Sequence, residues 1–383
     1  MPAIKYARSA GYYVITADYL PDNPGHRLSN ESHNCSTTDM DGILTLAKEL
    51  SIDGIVAYAS DPAAPTAAFV AEDLDLPSNS FKTVETLTSK DLYRKFLLEH
   101  GFFCPKYKSF YSLEVTHAYK DSFDLPVVIK PVDSSGSKGI TVLNDWDQLE
   151  KAFSKALYFS RAKRVIVEEF IGEMGEQILG EAFVWQGKLI VSCFARHRFN
   201  QRINGLVPIG GDFPTGSSRL QGRLRSELQA IIDKVDLKMG PLNLEFRIGQ
   251  SGEVYLMEIA PRNGGNMIPQ LVTFATGFDM VKNTVDIAAG FDCDQTKNSE
   301  MKGFYSYFVL HSHRDGLLKR LTISKDLEKR ICDSNVWTKP GDEVRSFIGA
   351  NCSLGVLILS FSSKKDMVSI MDNIHEYVHV EVE

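Results

Sequence analysis

Residues 125–143 read LPVVIKPVDSSGSKGITVL, and the reading of the whole chain turns on how this stretch folds. An apolar run, Leu125 to Ile129, closes on Lys130 and Pro131, gives way to Ser134, Ser135, Gly136, Ser137, Lys138 and Gly139, and resumes as Ile140 to Leu143. That pattern predicts strand, loop, strand. Glycine lets the main chain approach an anion with no Cβ in the way, and it accepts the positive φ that makes successive N–H groups converge. Lys138 adds a positive charge at the tip and Lys130 another at the strand end, so the hairpin is a candidate phosphate clamp. It is not a P-loop, because GxxxxGK[ST] and GxGxxG are both absent and no helix starts directly after Gly139. An ordinary solvated turn is spelled with the same letters, so the surrounding chain has to decide.

The chain has 383 residues, enough for two or three domains with ample core. It is 43% hydrophobic and 24% charged, the proportions of an ordinary globular protein. A formal net charge of −7 argues against a broad nucleic-acid surface, which needs clustered lysine and arginine. Six cysteines (Cys35, Cys104, Cys193, Cys293, Cys332, Cys352) lie far apart with no CxxC pair, so neither a zinc site nor a disulfide scaffold is indicated. No apolar run approaches the ~20 residues of a membrane span, and the start carries no signal-peptide pattern. A reducing, cytoplasmic setting without a membrane or nucleic-acid partner is the expectation.

Residues 1–84 alternate helix and strand signals: a helix to Ala10, a strand over Tyr12 to Leu20, a helix over Thr38 to Leu50, a strand over Gly54 to Ala59, and a helix opening at Pro65. This is a piece of a parallel α/β sheet. Such a unit normally opens with a strand, so an initial strand and any ligand loop after it are expected to be missing from this sequence. Ser89 to His100 reads as a capped helix closed by Gly101, Asp145 and Gln148 as a capping pair for the helix that follows, and Val165 to Ile171 as a strand. Glu181 to Phe194 predicts a strand pair turned at Gln186-Gly187. Arg196 to Ser218, rich in Gly, Pro, Asn and Arg, reads as a long binding loop or lid, and a helix is marked by Leu224, Leu228, Ile231, Ile232 and Val235. The tail from about Lys302 is a small α+β unit with a strand at Gly355 to Phe361, a helix capped by Ser363 and a last strand at Val378 to Val382.

The hairpin Leu242 to Ile259 carries Glu245 on one arm and Glu258 on the other, with its turn at Ser251-Gly252. The two fall nearly opposite each other and can face one side of a sheet. Converging carboxylates repel unless a cation lies between them, and magnesium accepts one or two protein carboxylates together with substrate phosphates. Surface strand glutamates are the plain alternative. The apolar company of Leu244, Phe246, Leu256, Met257 and Ile259 weakens it, because charges so placed usually have partners. The following IAPRNGGN adds Arg262, Asn263 and Asn266. An arginine there is suited to grip a phosphoryl oxygen or a carboxylate.

In this order the parts resemble the ATP-grasp superfamily, ligases that activate a carboxylate as an acyl phosphate. The resemblance covers roughly Thr88 to Phe291. SKDLYRKFLLEHG resembles the family's opening helix with its nucleotide lysine, here Lys90. VVIKPVDSSGSKG resembles the strand lysine Lys130 and the flexible loop Ser134 to Gly139. VIVEEFI is similar to the hinge that reads adenine, here Glu168, Glu169 and Ile171. Glu176 takes the ribose position, one residue further from the hinge than in D-alanyl-D-alanine ligases. NLEFR and YLMEIAPR look like the metal strands, with Glu245 and Glu258 as ligands of Mg2+ or Mn2+ and Asn263 as a further contributor. Arg262 matches the arginine four residues after the second metal glutamate in biotin carboxylases. Ala260 departs from the pattern, since many members carry asparagine there; the EIAPR form resembles the purine-biosynthesis branches. Each motif alone is weak, but five in order within about 180 residues reinforce one another.

The resemblance implies an α/β and α+β multidomain protein. A Rossmann-like N-terminal domain (1–84) lacking its first strand would precede an ATP-grasp domain (85–291, hinge near 168–171) and a small C-terminal unit (292–383). It implies ATP and magnesium as cofactors and an ADP-forming ligation of a small carboxylate to an amine. Arg262, Lys130, Arg202 and, less centrally, His197 would serve the reacting groups, and a homodimer is an analogy to relatives. The C-terminal PGDEVRSFIGANCSLGVLILSFSS looks like the tail of L-amino-acid ligases. EIAPR points instead to bicarbonate as the acid, as in carboxylases and carbamoyl-phosphate enzymes. A nucleotide-binding module without turnover is the reading from another class; Ala260 and the missing strand favour it, and the retained lysines and glutamates oppose it.

Overall fold

The computed structural model describes residues 1–171, 177–200, 204–295 and 300–383, the side chains of 204–206 excepted. The chain opens with α1 (Pro2–Ser9), then β1 (Ile15–Asp18) and β2 (Glu31–Asn34), which pair in parallel, then α2 (Met40–Leu50) and α3 (Ala64–Asp73). Asp39 caps α2 by accepting from the Gly42 N–H; a proline in the first turn starts α3, as the sequence predicts. The expected strand over Gly54 to Ala59 does not form. Its main chain finds no ladder partner, and a cavity of about 530 Å³, lined by Ile15, Ala17, Ile43, Val56 and Ala67 among others, lies between it and β1.

Two helices, α4 (Phe81–Thr88) and α5 (Lys90–Glu99), lead into a four-stranded antiparallel sheet. Its members are β3 (Tyr107–Phe110), β4 (Val127–Pro131), β5 (Thr141–Leu143) and β6 (Val165–Glu169), ordered β3-β6-β4-β5, with α6 (Leu113–Ala118) and α7 (Leu149–Phe159) beside them. Period-two alternation sends Val127, Ile129, Val165 and Val167 to one face, where Leu149, Phe153 and Ala156 of α7 cover them. Lys130 and Glu168 are left on the other face. Asp145 accepts from the Asp147 N–H and so caps a 3-10 turn, Trp146–Gln148, that runs into α7.

A second, larger sheet follows: β7 (Gln177–Trp185), β8 (Lys188–Asn200), β9 (Asn204–Phe213), α8 (Ser218–Val235), β10 (Met239–Ile248), β11 (Val254–Ala260), then α9 (Ile268–Thr276) and α10 (Met280–Ala288). The predicted loop over Arg196 to Ser218 is instead mostly strand. Gly210 and Gly211 sit in β9, where they let main chain and the Tyr307 ring come close. The tail contributes β12 (Phe304–His311), β13 (Gly316–Ile323), α11 (Lys325–Glu328), β14 (Ile331–Val336), β15 (Glu343–Val344), β16 (Ser353–Phe361), α12 (Lys364–Asp372) and β17 (Val378–Val382). Three of its strands extend the large sheet, whose order is β11-β10-β7-β8-β9-β12-β16-β14. One face of that sheet packs on α4, α5 and α8 through Leu97, Leu228, Ile231, Leu244 and Phe246, and the other on α9 and α10 through Leu179, Phe183, Leu271 and Phe278. No helix among the described residues is long and apolar enough to cross a membrane.

Candidate active site

Glu245 and Glu258 are direct partners in the β10–β11 register, with a bulge immediately after Glu245. Residues opposed in an antiparallel pair share a face, so the hairpin brings the two carboxylates together. Burial, and then Glu258, hold the Glu245 carboxyl well above the usual carboxylate range, with Lys130, Arg247 and Lys90 opposing them. Lys90 reaches this pair from the start of α5, its Nζ 3.7 Å from Glu258 Oε2. The same Nζ donates to the Ser134 carbonyl at 2.8 Å, and the Lys90 N–H donates to the Val132 carbonyl. One lysine therefore joins the metal-type hairpin to the glycine-serine loop.

The loop closes on itself through Ser134 Oγ, which donates to the Lys138 carbonyl. Gly136, Ser137 and Gly139 all have positive φ, and a Cβ on Gly139 would come within 2.8 Å of the Pro131 ring. Lys138 is exposed at the tip. Lys130 is buried and lies 2.6 Å from Glu168 Oε2. Glu168 is also 3.0 Å from the fully buried Arg94 of α5, whose Nη1 donates to the Met257 carbonyl beside Glu258. Burial would raise the Glu168 pKa, but Arg94 and Lys130 outweigh it and hold the carboxyl below its ordinary range. Burial pushes Lys130 down, and Glu168 counteracts it. The Glu168 side chain, expected at an adenine hinge, is thus taken up as the counter-ion of Arg94 and Lys130. Glu169 accepts from the Lys106 N–H, and Ile171 is buried at the strand exit.

Arg262 reaches back to the N-terminal unit. Its Nε and Nη2 donate to the two oxygens of Asp61 at 2.7 and 3.0 Å, while Nη1 donates to the Asn263 carbonyl. Asp61 was not marked by the sequence, which offers no local signal for a partner 201 residues away. Asn263 is wholly buried; its Nδ2 donates to Thr284 Oγ1 and its N–H to the Tyr58 carbonyl, and no described hydrogen bond turns it toward Glu245 or Glu258. A further missed residue is Glu181, fully buried on β7. It accepts from the Gly264 N–H and from Asn243 Nδ2, and burial raises its pKa to about 7 against those two bonds. His197 lies on β8 rather than in a loop. Glu176 and Arg202 lie outside the described residues.

A small sheet bearing Lys130 and a helix bearing Lys90 are thus brought against a large sheet bearing two opposed glutamates, so that cations and carboxylates meet at one place. Residues 123–270 match the family description "ATP-grasp domain", so that stretch of the chain is similar to ATP-grasp domains. Among curated proteins it is 24% identical to an uncharacterized protein y4rH of Sinorhizobium fredii over 83% of this chain and 64% of that protein. It is 28% identical to a phosphoribosylamine–glycine ligase of Ralstonia nicotianae over 53% of this chain and 48% of that one. The chain thus spans about half to two thirds of the length of these relatives. Among solved structures, an L-amino acid ligase from Bacillus licheniformis shares the fold with a TM-score of 0.83 at 17% identity, covering 100% of this chain and 95% of that one.

Proposed function

We propose that the protein is an ADP-forming ligase that uses ATP to activate a substrate carboxylate as an acyl phosphate, which an amine then attacks to give an amide. The observation that carries this reading is the convergence on Lys90 of the loop Ser134 to Gly139 and the paired Glu245 and Glu258. Two carboxylates opposed across one hairpin suit magnesium, which takes its remaining ligands from phosphates and water. Glu245 and Glu258 would hold the magnesium, which would supply neutralisation of phosphate charge. The chain does the rest. Lys130 and Lys90 set a positive potential along the phosphates, and the loop's converging N–H groups and Lys138 cover them. Covering the cleft excludes water from a labile acyl phosphate. Arg262, oriented by Asp61, keeps N–H groups on Nη1 and Nη2 for a substrate oxyanion.

The test is ADP release measured with amino acids and small carboxylates offered in pairs, with bicarbonate as a separate arm. Release that needs both an acid and an amine, and falls to background in Glu258→Gln, is the expected result. ADP release with bicarbonate alone would move the reading to the carboxylase branch, which the EIAPR motif favours. Equal release by wild type and Glu258→Gln would remove the metal role assigned to that hairpin.

A further inference from the structure

His197 is half-buried, with both ring nitrogens shielded from solvent and neither hydrogen-bonded. Buried polar atoms are nearly always paired, and an orphaned one carries a desolvation cost that a ligand can relieve. Its place in the sheet says where such a ligand would sit. Glu245 is registered with Leu179, and Leu179 with Ala195, so Glu245, Leu179 and Ala195 share a face. Two residues further along each strand, that face carries Arg247, Gln177 and His197. Arg247 and Gln177 are themselves registered partners, with Arg247 Nη2 donating to Gln177 Oε1 at 3.1 Å. On the far side His197 is registered with Gly211, whose missing side chain gives its place to Leu179 and Tyr307. A Cβ there would stand 2.7 Å from both Leu179 and the Tyr307 ring.

We propose that His197, with Arg247 and Gln177, forms a binding seat for an oxyanion, a carboxylate or phosphoryl group of the acid substrate, one residue pair along the sheet from the Glu245–Glu258 hairpin. The chemistry follows from the three side chains. The guanidinium supplies charge, the carboxamide holds that guanidinium in place, and the imidazole supplies a ring N–H that has no other partner. Burial and then Arg247 depress the imidazole pKa to about 3, so in the empty seat it is neutral, with one ring nitrogen donating and the other accepting. A neutral donor beside a fixed cation takes an anion without adding a second buried charge. This inference rests on the ligase reading for the identity of the ligand, but not for the existence of the seat.

Two probes keep those apart on the full chain: MgADP, which reads the nucleotide cleft, and acetate or inorganic phosphate, which read the seat. The chain holds nine histidines, so the His197 ring signals in the proton NMR spectrum are assigned by their loss in His197→Asn. The expected result is that acetate or phosphate shifts those signals, and that His197→Ala loses anion affinity by about tenfold or more while MgADP affinity stays within about twofold. A response to acetate alone marks a carboxylate seat, and one to phosphate alone a phosphoryl seat. His197→Gln, which keeps an N–H donor, restores part of the affinity if the donor is what matters. Signals unmoved by both anions, or anion affinity unchanged in His197→Ala, overturns the seat. If wild type fails to bind MgADP, the nucleotide reading falls, and the anion titration still decides His197 by itself.

Discussion

Burial and the facing Glu258 both disfavour a charged Glu245, whereas a bound divalent cation requires the charge. The two demands predict opposite responses to one substitution. Glu245→Gln removes the repulsion, so without ligands it melts at or above wild type, while ADP release falls by ~100-fold or more. A melting temperature lowered by several degrees would place the carboxylate in a structural role instead. Glu181 gives a pH dependence of definite sign. Its carboxyl titrates near 4.5 in the unfolded chain and about 7 in the folded one, so the folded protein holds the extra proton between those values. Stability therefore falls as pH rises through that window, by up to ~3 kcal/mol from this residue. Glu181→Gln keeps an acceptor for the Gly264 N–H and should flatten the pH dependence of urea unfolding between pH 5 and pH 7, the window those two values set. An identical slope in the variant would show that Glu181 does not titrate in this range.

Among the elements, α5 does most to set the cleft, because one short helix presents Lys90 to the loop and Arg94 to Glu168 and the Met257 carbonyl. Arg94→Ala leaves Glu168 buried beside Lys130 alone and should cost about 3–5 kcal/mol, read by denaturant titration. The loop offers an internal control. Gly136 and Gly139 both have positive φ, but a Cβ on Gly136 meets nothing within 4 Å, whereas one on Gly139 meets Pro131. Gly136→Ala should therefore cost about 1 kcal/mol and leave the KM for ATP nearly unchanged. Gly139→Ala should raise that KM several-fold, and equal effects at both positions would dismiss the close approach as the cause. These elements were legible in the sequence because their signals are local: the hairpin alternates with period two, and the loop announces its φ values through glycine. The stretch Arg196 to Ser218 was not, because its strands are specified by distant pairing with β12 and its glycines spell a loop. The ion pair of Glu168 was not legible for the same reason, since Arg94 comes to it from another element.

Across the whole molecule, order is unevenly distributed. The large sheet runs unbroken from β11 to β14 and has packed helices on both faces, whereas β1 has no fully buried residue and borders the 530 Å³ cavity. Native-state hydrogen exchange should find amides of residues 15–18 and 54–58 opening long before those of β7 and β10. Uniform protection across all four would refute that ranking. The C-terminal strands are held to the sheet partly by Arg198, which pairs with Asp212 at 2.6 Å and with Asp372 of α12 at 2.7 Å. The loosely packed N-terminal unit nevertheless grips the cleft through Asp61. Thermodynamic reciprocity then applies: an acid that needs Arg262 aligned must disfavour the open form of the first eighty residues by the same factor that their opening weakens its binding. Occupancy at the cleft and order at the chain's start are two readings of one equilibrium.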